Sequence, residues 1–344
     1  MDDFLKAANQ INEWIADYLQ HSEKYPVLSP VKPGEIRNAL PQHPPQKAEP
    51  FESVWSDFQK IILPGVTHWN HPGFFAYFAI TGSAPGVLGE MLSGALNVNA
   101  MLWKTCPAAT ELEEVALGWL QEMLGLPKDW FGLIMDTASV GSLCAMAAAR
   151  ESLDLEIRTK GIAGRSDLPP LCIYTSQQSH SSIEKGAIVL GFGQQGVRQI
   201  PVDEKFRMRP DALASAIDED IRAGKRPVCV VATVGTTSTT SIDPVPEIAQ
   251  ICRKYNLWLH ADAAYGGAAA IVPSMRWILE GCEHADSFLF NPLKRLPILA
   301  PTSLPMHAIP RMIRTVERSK LVTKFTRNPT DAKKSGAIML RMNC

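Results

Sequence analysis

No apolar run in this 344-residue sequence is long enough to cross a bilayer, although 46% of its residues are hydrophobic. The apolar residues are spread along the chain, which implies a soluble globular protein with a substantial core. The amino terminus lacks the basic start and apolar centre of a secretory signal, so the cytoplasm is the expected compartment. Cysteine is sparse, at seven residues, with no C-x-x-C pair and no histidine spacing suited to zinc. That excludes a disulfide framework and gives no metal site, leaving reduced thiols as small buried hydrophobes. Net charge is also close to absent, at −1, but it is unevenly placed. From Lys294 to Cys344 eleven Lys/Arg stand against Glu317 and Asp331, a net +9, which leaves −10 for the preceding part. These cations have a single interleaved aromatic, Phe325, so the tail does not point to nucleic acid.

What is present divides into three stretches. Residues 1–70 read as helices around a proline-rich loop, with Phe4, Ala8, Ile11, Trp14, Ile15 and Tyr18 at helical spacing. Pro26, Pro30, Pro33, Pro41, Pro44 and Pro45 then prevent regular structure, so the loop must lie over another surface, either its own or that of a second copy. From about residue 71 to 296, short β-branched runs alternate with small-residue helices, the pattern of an α/β domain with a mostly parallel sheet. Helices are expected over 112–124, 142–153 and 246–255, and strands over 171–174, 228–234, 257–261 and 287–290. Right-handed crossovers would bring polar residues at the strand ends to one edge of the sheet. Residues 297–344 form the basic tail.

Four segments carry groups suited to chemistry, each with a plainer reading beside it. In Leu259-His260-Ala261-Asp262-Ala263-Ala264-Tyr265-Gly266, an acid closes an apolar strand; it either caps the following turn or faces a cationic ring nitrogen. Lys294 follows the apolar run Phe288-Leu289-Phe290 and Asn291-Pro292; it is either a solvated side chain or an amine activated at the edge of an apolar site. Thr137-Ala138-Ser139 before an Ala-rich helix is an ordinary N-cap or a phosphate cradle. His180, after a strand, either packs locally or lies over a flat cofactor with its tautomer fixed by a neighbour. Thr237 adds a hydroxyl after another strand.

Taken in order, these segments resemble the group II pyridoxal-phosphate decarboxylases, the family of aromatic-amino-acid, tyrosine, histidine and glutamate decarboxylases. The resemblance rests also on His71-Pro72-Gly73-Phe74-Phe75-Ala76-Tyr77-Phe78 and Pro107-Ala108-Ala109-Thr110-Glu111-Leu112-Glu113, and runs to about residue 294. It implies the aspartate-aminotransferase-like fold, fold type I of pyridoxal-phosphate enzymes, working as a homodimer clasped by the amino-terminal helices. It implies pyridoxal 5'-phosphate as cofactor and decarboxylation of an aromatic L-amino acid to its amine. By the same resemblance Lys294 is the Schiff-base lysine, Asp262 the partner of the pyridinium nitrogen, and His180 the ring-stacking histidine. Thr137, Ala138, Ser139, Thr237, Ala264 and Asn291 then complete the cofactor pocket, and Tyr77, Phe78 and Trp103 line the substrate pocket. The sequence departs from the family where Lys294 stands between Leu293 and Arg295 in place of His and Trp. There is no tyrosine after Tyr265, whereas the family carries a protonating tyrosine on a later loop and then a small carboxy-terminal domain. The expectation is a truncated or frame-altered product, with a non-catalytic relative, an aldehyde synthase or a transaminase as alternative readings.

Overall fold

The computed structural model describes residues 1–77 and 82–292, together with the backbone of a strand at Leu321–Phe325. The chain divides into two compact units, Met1–Val87 and Leu88–Cys344.

In the first unit, α1 (Asp2–Gln20) starts with Asp2 and Asp3, whose charges suit the positive end of the helix dipole. Its Trp14 and Tyr18 stack with ring centroids 5.2 Å apart, and Phe58 meets Trp14 edge-on at 5.0 Å. The Tyr18 hydroxyl pairs with Nδ1 of the buried His68 at 2.9 Å. The proline-rich stretch holds only the short helix α2 (Glu35–Ala39), and α3 (Phe51–Asp57) follows it. The expected helices around a proline-rich loop are therefore present, joined by aromatic contacts worth about 0.5–1.5 kcal/mol each beyond their buried area.

Next come α4 (Ala84–Leu96) and α5 (Pro107–Leu124); α5 begins at a proline preset for a first helical turn and ends at Gly125 in the left-handed region. The α/β alternation continues with β1 (Phe131–Met135), α6 (Ala138–Glu151), α7 (Ile157–Lys160), β2 (Leu171–Ser176) and α8 (Ser182–Val189). It closes with β3 (Val197–Ile200), α9 (Pro210–Arg222), β4 (Arg226–Thr233), α10 (Val245–Tyr255), β5 (Trp258–Ala263), β6 (Ser287–Phe290) and β7 (Leu321–Phe325). The seven strands among the described residues form one sheet in the order β1-β7-β6-β5-β4-β2-β3. The pairs from β6 through β3 are parallel, while β7 runs antiparallel to both β1 and β6. The basic tail thus supplies a strand to the sheet.

Side chains alternate between the two faces of each strand, and each face has its own cover. Val230, Ala232, Leu259, Ala261, Phe288 and Phe290 pack with α5, α9 and α10. Ile173, Cys229 and Val231 pack with Met146 and Ala149 of α6 and Ile183 and Ala187 of α8. Each fully buried Ile, Leu, Met or Phe here contributes roughly 1.5–3 kcal/mol over its exposed state.

Candidate active site

The parallel strands end at one edge of the sheet, and the loops leaving that edge carry most of the residues singled out in the sequence. Asp262 is the penultimate residue of β5 and is buried. Alternation puts it on the face covered by α6, since Leu259, Ala261 and Ala263 occupy the opposite core. One carboxylate oxygen accepts the Ala264 N–H at 3.1 Å, so the local capping role is real and engages only one of the two oxygens. The β4 and β5 exits are drawn together by Gly266 N–H donating to the Val234 carbonyl at 3.0 Å. A methyl group at Gly266 would stand 2.6 Å from that carbonyl oxygen, and Gly235 opposite sits at φ +88, so this crossing requires residues without side chains.

Because β1 lies parallel to β6 across β7, α6 starts at this same edge and packs across β4, β5 and β6. Thr137 caps it, its Oγ1 accepting the Val140 N–H at 3.2 Å. The N–H groups of Ala138 and Ser139 stand in the first turn, where no helical carbonyl precedes them. With the hydroxyls of Thr137 and Ser139 exposed, this is a site where an anion gains both donors and dipole. After β2, His180 is exposed; its Nδ1 accepts the Ser182 N–H at 3.2 Å and pairs with the Ser182 hydroxyl at 2.9 Å. A ring nitrogen that accepts a backbone N–H carries no proton, so in neutral His180 the proton is on Nε2. Thr237 is exposed in a hydroxyl-rich loop after β4, closed by Thr236 Oγ1 against Thr239 Oγ1 at 2.6 Å and by Gly235 N–H to the Ser241 carbonyl at 3.0 Å. Asn291 directly follows β6.

The loops and helix start at this edge of the sheet thus carry Thr137, Ala138, Ser139, His180, Thr237, Asp262, Ala264 and Asn291. Lys294 and Phe78 lie outside the described residues. Tyr77 belongs to the first unit, exposed and stacked 5.7 Å from Trp69. Trp103 stands before α5, its indole N–H donating to Glu111 at 2.9 Å. Among the described residues no cluster could hold a metal ion and no helix is long and apolar enough to span a membrane.

Residues 33–304 match the pyridoxal-dependent decarboxylase conserved domain. The chain belongs to the pyridoxal-dependent decarboxylase family. It is 39% identical over 303 residues to a phenylacetaldehyde synthase of Petunia hybrida, covering 86% of this chain and 59% of that protein. Against an aromatic-L-amino-acid decarboxylase of Bos taurus the identity is 42% over 304 residues, covering 86% and 62%. The crystal structure of Catharanthus roseus tryptophan decarboxylase in complex with L-tryptophan superposes with a TM-score of 0.83 at 35% identity, covering 96% of this chain and 67% of that one. The chain thus spans about three-fifths of the length of these curated relatives. The family match also runs past Arg295, where the motifs read in the sequence stop.

The described residues fit the cofactor of a pyridoxal-dependent family. A helix start rich in hydroxyls suits a phosphate, and a buried carboxylate with one engaged oxygen suits a cationic ring nitrogen. Four buried polar atoms, Ser142 Oγ, Thr175 Oγ1, Thr233 Oγ1 and His260 Nε2, have no hydrogen-bond partner among the described residues. All four lie at the face of the sheet that α6 covers, which marks it as built for more polar contact than the chain makes with itself. Sequence reasoning assigned no role to His260. It is fully buried, and its Nδ1 pairs at 2.8 Å with Ser287 Oγ, which also accepts the Trp258 indole N–H at 2.8 Å. Burial pushes its pKa down to about 4 against the opposing pull of the Asp262 charge, so the imidazole is neutral at physiological pH. The period-2 pattern that placed Asp262 also puts His260 on the same face; Ser287 joins it only through the β5–β6 register.

Proposed function

We propose that the chain decarboxylates an aromatic L-amino acid to its amine and carbon dioxide, using pyridoxal 5'-phosphate. The observation that carries this reading is the buried Asp262 carboxylate, on the face covered by α6 and at the edge where α6 begins. Bound pyridoxal phosphate supplies an electron-accepting ring that can hold the charge left when a carboxylate departs. The chain's own residues supply binding and proton placement. The first turn of α6, with Thr137, Ala138 and Ser139, holds the phosphate, and Asn291 closes the pocket. Asp262 holds a proton at the ring nitrogen, which a carboxylate beside a cationic ring does by favouring the charged form. His180, its Nδ1 engaged by the Ser182 N–H and hydroxyl, would lie against the ring, and Thr237 and Ala264 would complete the cofactor pocket. Lys294 is the amine that binds the cofactor covalently, and Tyr77, Phe78 and Trp103 contact the substrate. The reading carries with it a homodimer, supported by an apolar stripe on α4 in which Leu88, Leu92 and Leu96 are exposed.

The test is release of carbon dioxide from L-tyrosine, L-tryptophan or dihydroxyphenylalanine by the purified chain supplied with pyridoxal 5'-phosphate. Amine should accumulate in equal amount, and Lys294→Ala should remove the borohydride-sensitive visible band. A band without turnover would favour a non-catalytic relative and overturn the proposal. The 39% identity to a phenylacetaldehyde synthase favours one second reading, in which aldehyde and ammonia appear in place of amine, with dioxygen and water consumed and the two electrons leaving as hydrogen peroxide.

A further inference from the structure

His260 lies two residues before Asp262 on β5, so both side chains rise from the same face of the sheet. The Trp258 indole can only donate, so its 2.8 Å contact fills a lone pair of Ser287 Oγ. The hydroxyl proton of Ser287 is then available to His260 Nδ1, also at 2.8 Å. An imidazole that accepts at Nδ1 carries its proton on Nε2. That atom is buried without a partner among the described residues, on the side of the ring away from Ser287.

We propose that His260 is a positioning residue for Asp262: a neutral imidazole, its tautomer set by the Trp258–Ser287 relay, whose Nε2–H dipole adds to the field on the sheet face that the Asp262 side chain shares. This rests on the reading of Asp262 as the partner of a pyridine ring nitrogen. A buried carboxylate needs an oriented donor, yet a second cation beside it would compete with a protonated ring. The Ala264 N–H supplies a donor to Asp262, and the neutral His260 imidazole adds a dipole on the same face, without a hydrogen bond to the carboxylate and without a second cation. Loss of the Ser287 hydroxyl would let the ring proton move to Nδ1 and turn a lone pair into the shared pocket. The Ser287 backbone carbonyl also favours a protonated ring, so the Nδ1–H tautomer is the direct competitor.

Two measurements on the full-length chain test this. Long-range proton–nitrogen NMR with labelled histidine, without cofactor, should show His260 as the Nε2–H tautomer, its signal identified by loss in His260→Gln. Ser287→Ala should shift it toward the other tautomer. Titrations with pyridoxal 5'-phosphate and with its 1-deaza analogue, which lacks the ring nitrogen, provide the second readout. Wild type should prefer the natural cofactor. His260→Leu should reduce that preference about tenfold, the scale at which outer partners tune a bound group. His260→Gln, with an amide N–H in the place of Nε2, should retain it, and affinity for the deaza analogue should be equal in all three. An Nδ1–H tautomer in wild type, or equal weakening of both ligands in His260→Leu, overturns the positioning role alone. A wild-type chain indifferent to the ring nitrogen overturns the reading of Asp262 and this inference with it.

Discussion

Two buried groups close to the site should give the protein opposing responses to acid, and separating them tests the burial of His260 directly. Its imidazole, ordinarily titrating near 6.5, is pushed down to about 4 by burial. Between these values the unfolded chain binds a proton that the folded chain refuses, so stability is full above pH 6.5 and falls as the pH falls toward 4. The displacement corresponds to about 3 kcal/mol. Asp243 acts the other way. It accepts the Met208 N–H at 2.7 Å and the Thr233 N–H at 2.8 Å, and its burial outweighs both, raising its pKa from 3.8 to about 6. Here the folded chain keeps a proton that the unfolded chain has lost. Its contribution is present below pH 3.8 and disappears as the pH rises through about 6, again about 3 kcal/mol. Wild type should therefore show little net slope from this pair. Urea denaturation of wild type, His260→Gln and Asp243→Asn from pH 4 to pH 7 separates the terms. On acidification wild type should lose about 3 kcal/mol relative to His260→Gln and gain a similar amount relative to Asp243→Asn. A His260→Gln profile parallel to wild type would refute the reasoning, because it would mean that the folded chain takes up that proton as readily as the unfolded one.

Gly266→Ala should cost about 1–3 kcal/mol in denaturant unfolding, since the added methyl meets the Val234 carbonyl oxygen rather than a movable side chain. Asp220 is buried, accepts the Tyr174 hydroxyl at 3.2 Å, and pairs with Arg198 at 3.1 Å and Lys225 at 2.9 Å. Asp220→Ala should cost about 1–3 kcal/mol, chiefly because the buried Tyr174 hydroxyl loses its acceptor. The two cations are about one-third exposed and can turn to water, so Asp220→Asn, which keeps an acceptor, should cost measurably less.

How much of this was legible in the sequence follows the physics of each element. Strands buried on both faces read directly: β6 matches its expected bounds, and β2, β4 and β5 differ only at their ends, because continuous apolar runs between breakers have few other uses. β3 was not legible, since an edge strand carrying Arg198 and Gln199 shows no such run. Nor was β1, five residues with Gly132 inside and Phe131 exposed. β7 lies within a stretch whose cations dominate any count, so composition described the tail and missed a pairing that depends on β1 and β6. α6 begins four residues earlier than its alanine pattern suggests because the Thr137 cap, and not the first alanine-rich turn, decides where a helix starts. The site divides in the same way. Residues at strand ends were legible because topology sends every parallel strand to one edge, whatever its length. The Trp258–Ser287–His260 relay was not, because a hydrogen bond between neighbouring strands depends on register, and register belongs to pairs of strands rather than to either one. A reading from motifs therefore reaches residues at one edge of the sheet and omits partners that only strand register brings together, which is where His260 and Ser287 stand.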